Sequence, residues 1–409
     1  MPSKRVAVLG GGLQGACIAL ELARRGVTVD LYERNLTCFA EASTHNEGKI
    51  HLGFVYAGDK SLKTARLAAT GALSFQPLLR RWVGDVIDSV PISSPFHYVV
   101  HRDGLIDPTA FAAHVDRVTE FIRTTAPGRN VEYFGQDPTL SPQPLPSAAY
   151  DGLYDPAKVS AVFQTSEISF DPEALAPIFR QRLAETHEIR LLLGRKALSV
   201  VPRNTELLVY SVDAEDEHSE AYDHVVNASW AGRLQLDASM GIAPQENWTF
   251  RFKYFVRSTL PLGAHAVSAT IVLGPFGDTA SYSNGVRYLS WYPTGVVARS
   301  NDIEPPDIAA TLAEPDGRAL AAAIASGLGR VIPSTLCCGD SLGSGPVVKG
   351  GWIFARGSTD IDDPASRFHQ RCDVGVHAHG RYLSIDTGKL TMAPLFAVRA
   401  ADRITGWLA

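Results

Sequence analysis

Residues 5–16 read Arg5-Val-Ala-Val-Leu-Gly-Gly-Gly-Leu-Gln-Gly-Ala16, an unbroken apolar run entering a G-x-G-x-x-G turn. The run Val6-Ala-Val-Leu9 lacks polar alternation, which is the pattern of a strand covered on both faces. Gly10 permits a tight turn, Gly12 lets backbone amides approach a pyrophosphate, and Gly15 lets the next helix pack on the strand. The partial positive charge at that helix's N-terminus then faces the phosphates. The helix is expected over residues 14–25, stopped by Gly26 in a left-handed cap. A second strand, Val27-Thr-Val-Asp-Leu-Tyr-Glu33, ends in an acid about twenty residues past the turn. Glu33 presents a carboxylate to a ribose 2′-hydroxyl and repels a 2′-phosphate, while Arg34 beside it tempers that repulsion. The combination predicts a bound dinucleotide, FAD or NAD rather than NADP.

The chain has 409 residues, a length that fits two or three domains. A net charge of -5 without a long basic run argues against nucleic-acid or membrane-surface partners. No segment reaches the roughly twenty uninterrupted apolar residues of a membrane span. Met1-Pro-Ser-Lys-Arg5 leads directly into the first strand, so the expectation is a cytoplasmic protein without a signal sequence. Cys17, Cys38, Cys337, Cys338 and Cys372 are odd in number and scattered, as suits reduced thiols.

Beyond Glu33, residues 42–56 have neither helical nor strand periodicity and read as a functional loop. A helix is expected over 60–82, and a hairpin from 96–102 turning at Asp103-Gly104. Asp107-Pro108 and Asp171-Pro172 each set a capping acid before a proline and predict helix starts. The four prolines within 138–146 exclude a regular element there. Strands follow at 189–193 and near Val200 and Leu207, and the apolar run 224–229 reads as a return to the nucleotide sheet. In 249–257 charged and aromatic residues alternate, Ser283-Asn-Gly-Val286 joins two strands in a hairpin, and 309–328 is alanine-rich and expected helical. The expected fold class is α/β: a Rossmann-like domain from 1–85, 150–235 and 345–409, with an α+β substrate domain, built on a mostly antiparallel sheet, from 86–149 and 236–344.

Near the C-terminus, Gly380-Arg-Tyr-Leu-Ser-Ile-Asp-Thr-Gly-Lys-Leu-Thr-Met-Ala-Pro394 again places strand, glycine turn and helix in order. Its turn, residues 387–391, offers backbone amides and one ammonium group to a second part of the same cofactor. Nicotinamide enzymes seldom need such a late return; flavoenzymes often do. With this turn, the N-terminal glycine turn and the loop Asn46-Glu-Gly-Lys-Ile-His51-Leu-Gly53, the chain resembles the FAD-dependent oxidoreductases of the D-amino-acid oxidase (DAO) superfamily. The branch it most resembles contains L-2-hydroxyglutarate oxidase and FAD-dependent glycerol-3-phosphate dehydrogenase. The resemblance implies a glutathione-reductase-like FAD domain. Gly10, Gly12, Leu13 and Gln14 would lie at the pyrophosphate, and Glu33 with Arg34 at the adenosine ribose. Ser43, Asn46, Gly48 and Ile50 would line the cofactor, and Gly388, Lys389, Leu390 and Thr391 would approach the flavin ring. Thr387 stands where the glycerol-phosphate enzymes have a second glycine. The surroundings of Cys337-Cys338 do not match the flavin-linking cysteine of the sarcosine oxidases, so non-covalent FAD is implied.

The chemistry implied is hydride removal from a carbon bearing a hydroxyl or amine on a small polar metabolite, delivered to flavin N5. Lys389 suits the negative charge that develops near flavin N1, and His51 is the candidate base. Arg251, Arg287, Tyr288 and Arg356 are candidate substrate ligands for a carboxylate. The electron acceptor, whether oxygen, a quinone or another molecule, is left open. Three alternatives stand beside this reading: a D-amino-acid or secondary-amine oxidase, an NAD-dependent dehydrogenase using only the first motif, and a flavin-binding protein without turnover. Gly339-Asp-Ser-Leu342 spells an esterase nucleophile block in the wrong place, and His377-Ala-His379 lacks further ligands, so no metal is expected.

Overall fold

The computed structural model describes residues 5–125, 132–259, 266–311, 313, 316–335 and 346–408. Strand β1 (Arg5–Leu9) lies inside a six-stranded sheet, parallel to β2 (Thr28–Glu33) on one side and to His224–Asn227 on the other. Beyond His224–Asn227 the sheet adds Tyr382–Asp386, parallel, and then Gly375–His379, antiparallel; beyond β2 it adds Ile189–Leu193, parallel. The continuous apolar run of β1 follows from this central place. Val6 and Val8 pack with helix α1 (Leu13–Arg24) and the C-terminal helix Ala393–Leu408, while Ala7 and Leu9 face a three-stranded layer, Lys196–Arg203, Glu206–Val212 and Glu217–Tyr222.

Helix α1 ends as its sequence demands, with Gly26 at φ +77°. Glu21, fully buried on α1, is tied by Arg24, Arg25 and the indole N–H of Trp82, at 2.8 Å, which fastens the helix Lys63–Val83 against it. That second helix starts three residues later than the expected Lys60, because Asp59 forms the turn before it and accepts the amide and hydroxyl of Thr64. Asp107 and Asp171 cap the helices Pro108–Thr125 and Pro172–Glu185 as expected, accepting the amides of Ala110 and Glu173.

The second sheet has nine strands. Its long strand Trp248–Thr259 pairs antiparallel with Val286–Trp291, Val296–Ser300 and Val347–Arg356. The hairpin at Asn284-Gly285 forms, joining Gly277–Ser281 to Val286–Trp291. Side-chain alternation divides the faces. Phe252, Tyr254, Val256 and Leu289 pack under the helix Asp316–Gly329, and Lys253, Thr270, Asp278, Tyr288 and Ser290 face the first sheet across a cavity.

Several expectations are corrected. His97–His101 forms no hairpin: it runs parallel to Ala269–Val272 and antiparallel to Val159–Gln164, while Asp103-Gly104 hands the chain to the cap at Asp107. The proline-rich stretch does hold a two-residue edge strand, Gln143–Pro144, where a missing N–H costs nothing. The alanine-rich helix begins only at Asp316; before it, the carbonyls of Ala309 and Ala310 accept from Tyr254 and Gly350 of the sheet, which holds that segment extended. Val159–Gln164 and Val347–Arg356, both expected in the nucleotide domain, are hydrogen bonded in the large sheet. Cys337, Cys338 and the stretch Gly339–Leu342 lie outside the described residues.

Close packing at the first turn is testable. A Cβ on Gly15 would sit 1.9 Å from the carbonyl oxygen of Gly10, a backbone atom unable to move aside. Gly15→Ala should therefore destabilise the protein by about 3 kcal/mol or more, read as a lowered urea midpoint.

Candidate functional site

A cavity of about 1000 Å³ lies between the two sheets. One end is built on the carboxyl ends of β1 and β2, the place where open α/β sheets leave room for ligands. Only glycine fits the turn at Gly10, where φ is +109° and a Cβ would lie 2.7 Å from the Ala228 carbonyl oxygen. Gly12 caps α1 with no side chain of its own to cover the helix amides. Ser43 Oγ accepts the Leu13 amide at 2.8 Å. The Glu33 carboxylate accepts the Gly11 amide at 2.9 Å and the backbone and side-chain N–H of Asn35 at 2.8 and 2.7 Å, and it lines the cavity. Arg34 lines it too but is paired with Glu41.

The C-terminal turn stands against this one. Gln14 donates to the carbonyl of Ala393 at 3.1 Å and accepts the Thr387 hydroxyl at 3.1 Å. Thr391 accepts the His51 amide at 3.1 Å and donates to the Lys49 carbonyl at 3.0 Å. These bonds join the glycine turn, the 42–56 loop and the last turn around one cavity. Asn46 shapes the loop by accepting the Gly48 amide at 2.6 Å and donating to the Ala42 carbonyl. Gly48, at φ +62°, lies so near Phe170 that a Cβ would come to 2.0 Å from its carbonyl.

At the far end His51, Glu47, Lys49, Lys253, Asp278, Arg371 and Lys389 converge. Burial pushes the Lys389 ammonium down to about 8, and the neighbouring Arg371 adds to the effect. Burial likewise lowers the His51 imidazole, against the pull of Glu167, so the ring is neutral near pH 7. Burial would raise Glu47, but Lys389, Lys253 and His51 outweigh it and hold its carboxyl below the usual range. Asp278 is raised by burial and by the charge of Glu47. It accepts Ser290 Oγ at 2.7 Å, and Lys253 donates to the same hydroxyl at 3.1 Å. Register makes the row: Asp278 stands opposite Thr270 on one side and Ser290 on the other.

Of the positions singled out in the sequence, Gly10, Gly12, Leu13, Gln14, Glu33, Arg34, Ser43, Asn46, His51, Gly388, Lys389, Leu390 and Tyr288 line the cavity. Gly48, Ile50 and Thr391 lie behind it as its supports. The structure does not bring Arg251, Arg287 or Arg356 to it. Arg251 is buried against Asp360 and the Thr359 carbonyl, Arg287 donates to Thr279 and the Ser334 carbonyl, and Arg356 pairs with Glu246 and Asp386. Reading the sequence alone missed Glu47, Lys49, Lys253, Asp278, Ser290 and Arg371. The alternation of 249–257 does place Lys253 on the same face as Arg251, but only depth along the strand separates the lining residue from the structural one.

Comparison with known proteins agrees with this geometry. A family model described as FAD dependent oxidoreductase (DAO) matches residues 5–345. No curated protein matches the sequence. Among solved structures, glycine oxidase from Geobacillus kaustophilus superposes with a TM-score of 0.68 at 15% identity, covering 98% of this chain and 95% of that one. L-alpha-glycerophosphate oxidase from Mycoplasma pneumoniae, with FAD bound, gives 0.68 at 16% identity, covering 100% and 96%. L-proline dehydrogenase from P. horikoshii gives 0.65 at 15%, covering 99% and 94%. The chain belongs to the FAD dependent oxidoreductase (DAO) family; it is an enzyme, and its cofactor is FAD. That overturns the reading as an NAD dehydrogenase using the first motif alone. The residues present fit the group: a helix start capped by Gly12, which adds no side chain of its own where the diphosphate would lie, a braced carboxylate that would meet the ribose, and an ammonium at the far end of one continuous cavity.

Glu33→Gln keeps the shape but removes the charge with which Glu33 would hold a ribose hydroxyl. Titration of the apoprotein should show FAD affinity weakened on the order of tenfold, about 1.5 kcal/mol.

Proposed function

We propose that this member of the FAD dependent oxidoreductase family oxidises a small polar, anionic metabolite at a carbon bearing a hydroxyl, without a covalent link to the cofactor. The observation that carries the reading is the meeting of a neutral His51 with Lys389, Lys253 and Arg371 at one end of the cavity. When bound, FAD supplies a two-electron acceptor for a hydride. The chain's own residues supply the rest. His51 takes the hydroxyl proton as the carbon–hydrogen bond breaks, for which a neutral imidazole is required. Lys389 balances the negative charge that hydride transfer brings to its end of the cavity. Arg371 and Lys253 offer cationic partners to an anionic substrate group, and Tyr288, Ser290 and Thr270 offer hydroxyls. Among the described residues, the free cysteines Cys17, Cys38 and Cys372 stand outside the cavity lining.

An amine substrate is the second reading, favoured by the glycine oxidase and proline dehydrogenase folds; a neutral amine needs no base. Anaerobic titration of the holoprotein with hydroxy acids, polyol phosphates and amino acids separates the two, because the substrate bleaches the flavin absorbance. Under the favoured reading a hydroxylated anion bleaches it, and His51→Asn slows that reduction by about 100-fold or more. Bleaching by amino acids alone, at a rate indifferent to His51, would sink the alcohol reading.

Lys389 sets a second expectation. Its ammonium is lost as pH rises through about 8, so the rate of flavin reduction should fall across that region. Lys389→Met should remove this limb and lower the flavin potential by about 30 mV, the equivalent of about 1.4 kcal/mol for two electrons. Potentiometry with a reference dye reads the shift.

A further inference from the structure

Glu167 reaches the site from outside the lining residues. It sits in the turn between Val159–Gln164 and Pro172–Glu185, and its backbone is pinned at both ends: the Phe96 amide donates to the Glu167 carbonyl at 2.8 Å, and the Glu167 amide donates to the Thr165 hydroxyl at 3.1 Å. The turn runs antiparallel to the His51 loop. Lys49 bridges Ser169, the Ile50 amide donates to the Ile168 carbonyl at 2.9 Å, and the Phe170 amide donates to the Gly48 carbonyl at 3.1 Å. This register sets Glu167 beside His51, with no exposure to solvent.

The carboxylate is crowded. Oε2 accepts the Leu52 amide at 2.7 Å; Oε1 accepts the Tyr98 hydroxyl at 2.5 Å and lies 3.3 Å from Lys49 Nζ and 3.5 Å from His51 Nδ1. Burial would raise its pKa, but Lys49, His51 and Tyr98 more than reverse that and hold it at about 2, so it is ionised. Lys49 is itself satisfied by Thr270 Oγ1 at 2.6 Å and by the faces of Phe96 and Tyr98. His51 Nδ1, by contrast, is buried and has no hydrogen-bond partner within normal limits among the described residues.

A neutral imidazole has one protonated nitrogen and one lone pair. Were the lone pair on Nδ1, it would face an anionic oxygen at 3.5 Å in a place buried from solvent. The other tautomer turns that repulsion into a charge-assisted bond, long here and able to shorten as substrate closes the site. We infer that Glu167 is a positioning residue that fixes His51 as the Nδ1–H tautomer, leaving the Nε2 lone pair on the opposite ring edge to receive the substrate proton. Lys49 completes the device by keeping the buried carboxylate charged, and Tyr98 aims it.

The inference rests on His51 acting as the base, and the experiment separates the two. In holoenzyme labelled with 15N-histidine, the ring nitrogen shifts of His51 should report protonated Nδ1 and unprotonated Nε2. An Nε2–H tautomer would overturn the pairing while leaving His51 free to act in another way. In Glu167→Gln, loaded with FAD, kcat/KM should fall at least tenfold and its acid limb should move to lower pH by about one unit, since the anion that favours the charged imidazole is gone. Lys389 and Glu47 keep their places around His51 in that variant, as does the neutral phenol of Tyr56, while buried Lys49 loses the carboxylate that supports its own charge. A folded Glu167→Gln enzyme whose acid limb does not move overturns the proposal; if that variant fails to fold, the tautomer in the unsubstituted holoenzyme decides alone. A His51→Asn enzyme that keeps its rate, with Nδ1–H intact in the parent, removes the base itself and with it the purpose of Glu167.

Discussion

The site depends on a pair of side chains that tie the two ends of the chain together. Gln14, on the first helix, spends both halves of its amide on the last turn, accepting from Thr387 and donating to Ala393. Thr391, on that turn, spends its hydroxyl on both sides of the His51 loop. Each such bond is worth only about 1 kcal/mol net, yet leaving one of these buried groups unpaired would cost about 1–3 kcal/mol. Their main effect is therefore selection of one arrangement. With Tyr382–Asp386 already two places from β1 in the sheet, the clasp sets the last turn over the first and leaves a single cavity between them.

The second sheet brings buried charge to that cavity as well as apolar surface. Thr270, Asp278 and Ser290 stand at matching registers on adjacent strands, Lys253 reaches the Ser290 hydroxyl from the next strand, and Glu47 and Lys389 line the same cavity. Each buried ion gives up several kcal/mol of hydration, recovered only where an opposite charge stands close. Glu47 near Lys389 and Lys253, and Glu167 beside Lys49, meet that condition. Such an arrangement is a poor way to hold a protein together. It is a good way to set protonation states at an enclosed reaction centre.

The stabilising work lies elsewhere. Val6 and Val8 on one side of β1, Ala7 and Leu9 on the other, belong to separate apolar clusters, so one strand anchors both layers of the nucleotide sheet. The helix Asp316–Gly329 does the same for the large sheet by covering Phe252, Tyr254, Val256 and Leu289. The strand Trp248–Thr259 thus carries a packing face and a chemical face within its alternation.

Sequence by itself determined what depends on a few neighbouring residues: the glycine turn, the acid at the end of β2, the caps at Asp107 and Asp171, the turn at Asn284-Gly285, and, through a family resemblance, the FAD cofactor. Backbone sterics and capping bonds act within a handful of positions, so their signatures are local. Tertiary structure alone decided which partners His97–His101 would take, which of Arg251 and Lys253 would reach the cavity, and that Glu167 would lie beside His51. Strand pairing and the depth of a side chain along a strand are set by elements far apart in the chain, and nothing in a residue's own neighbourhood records them.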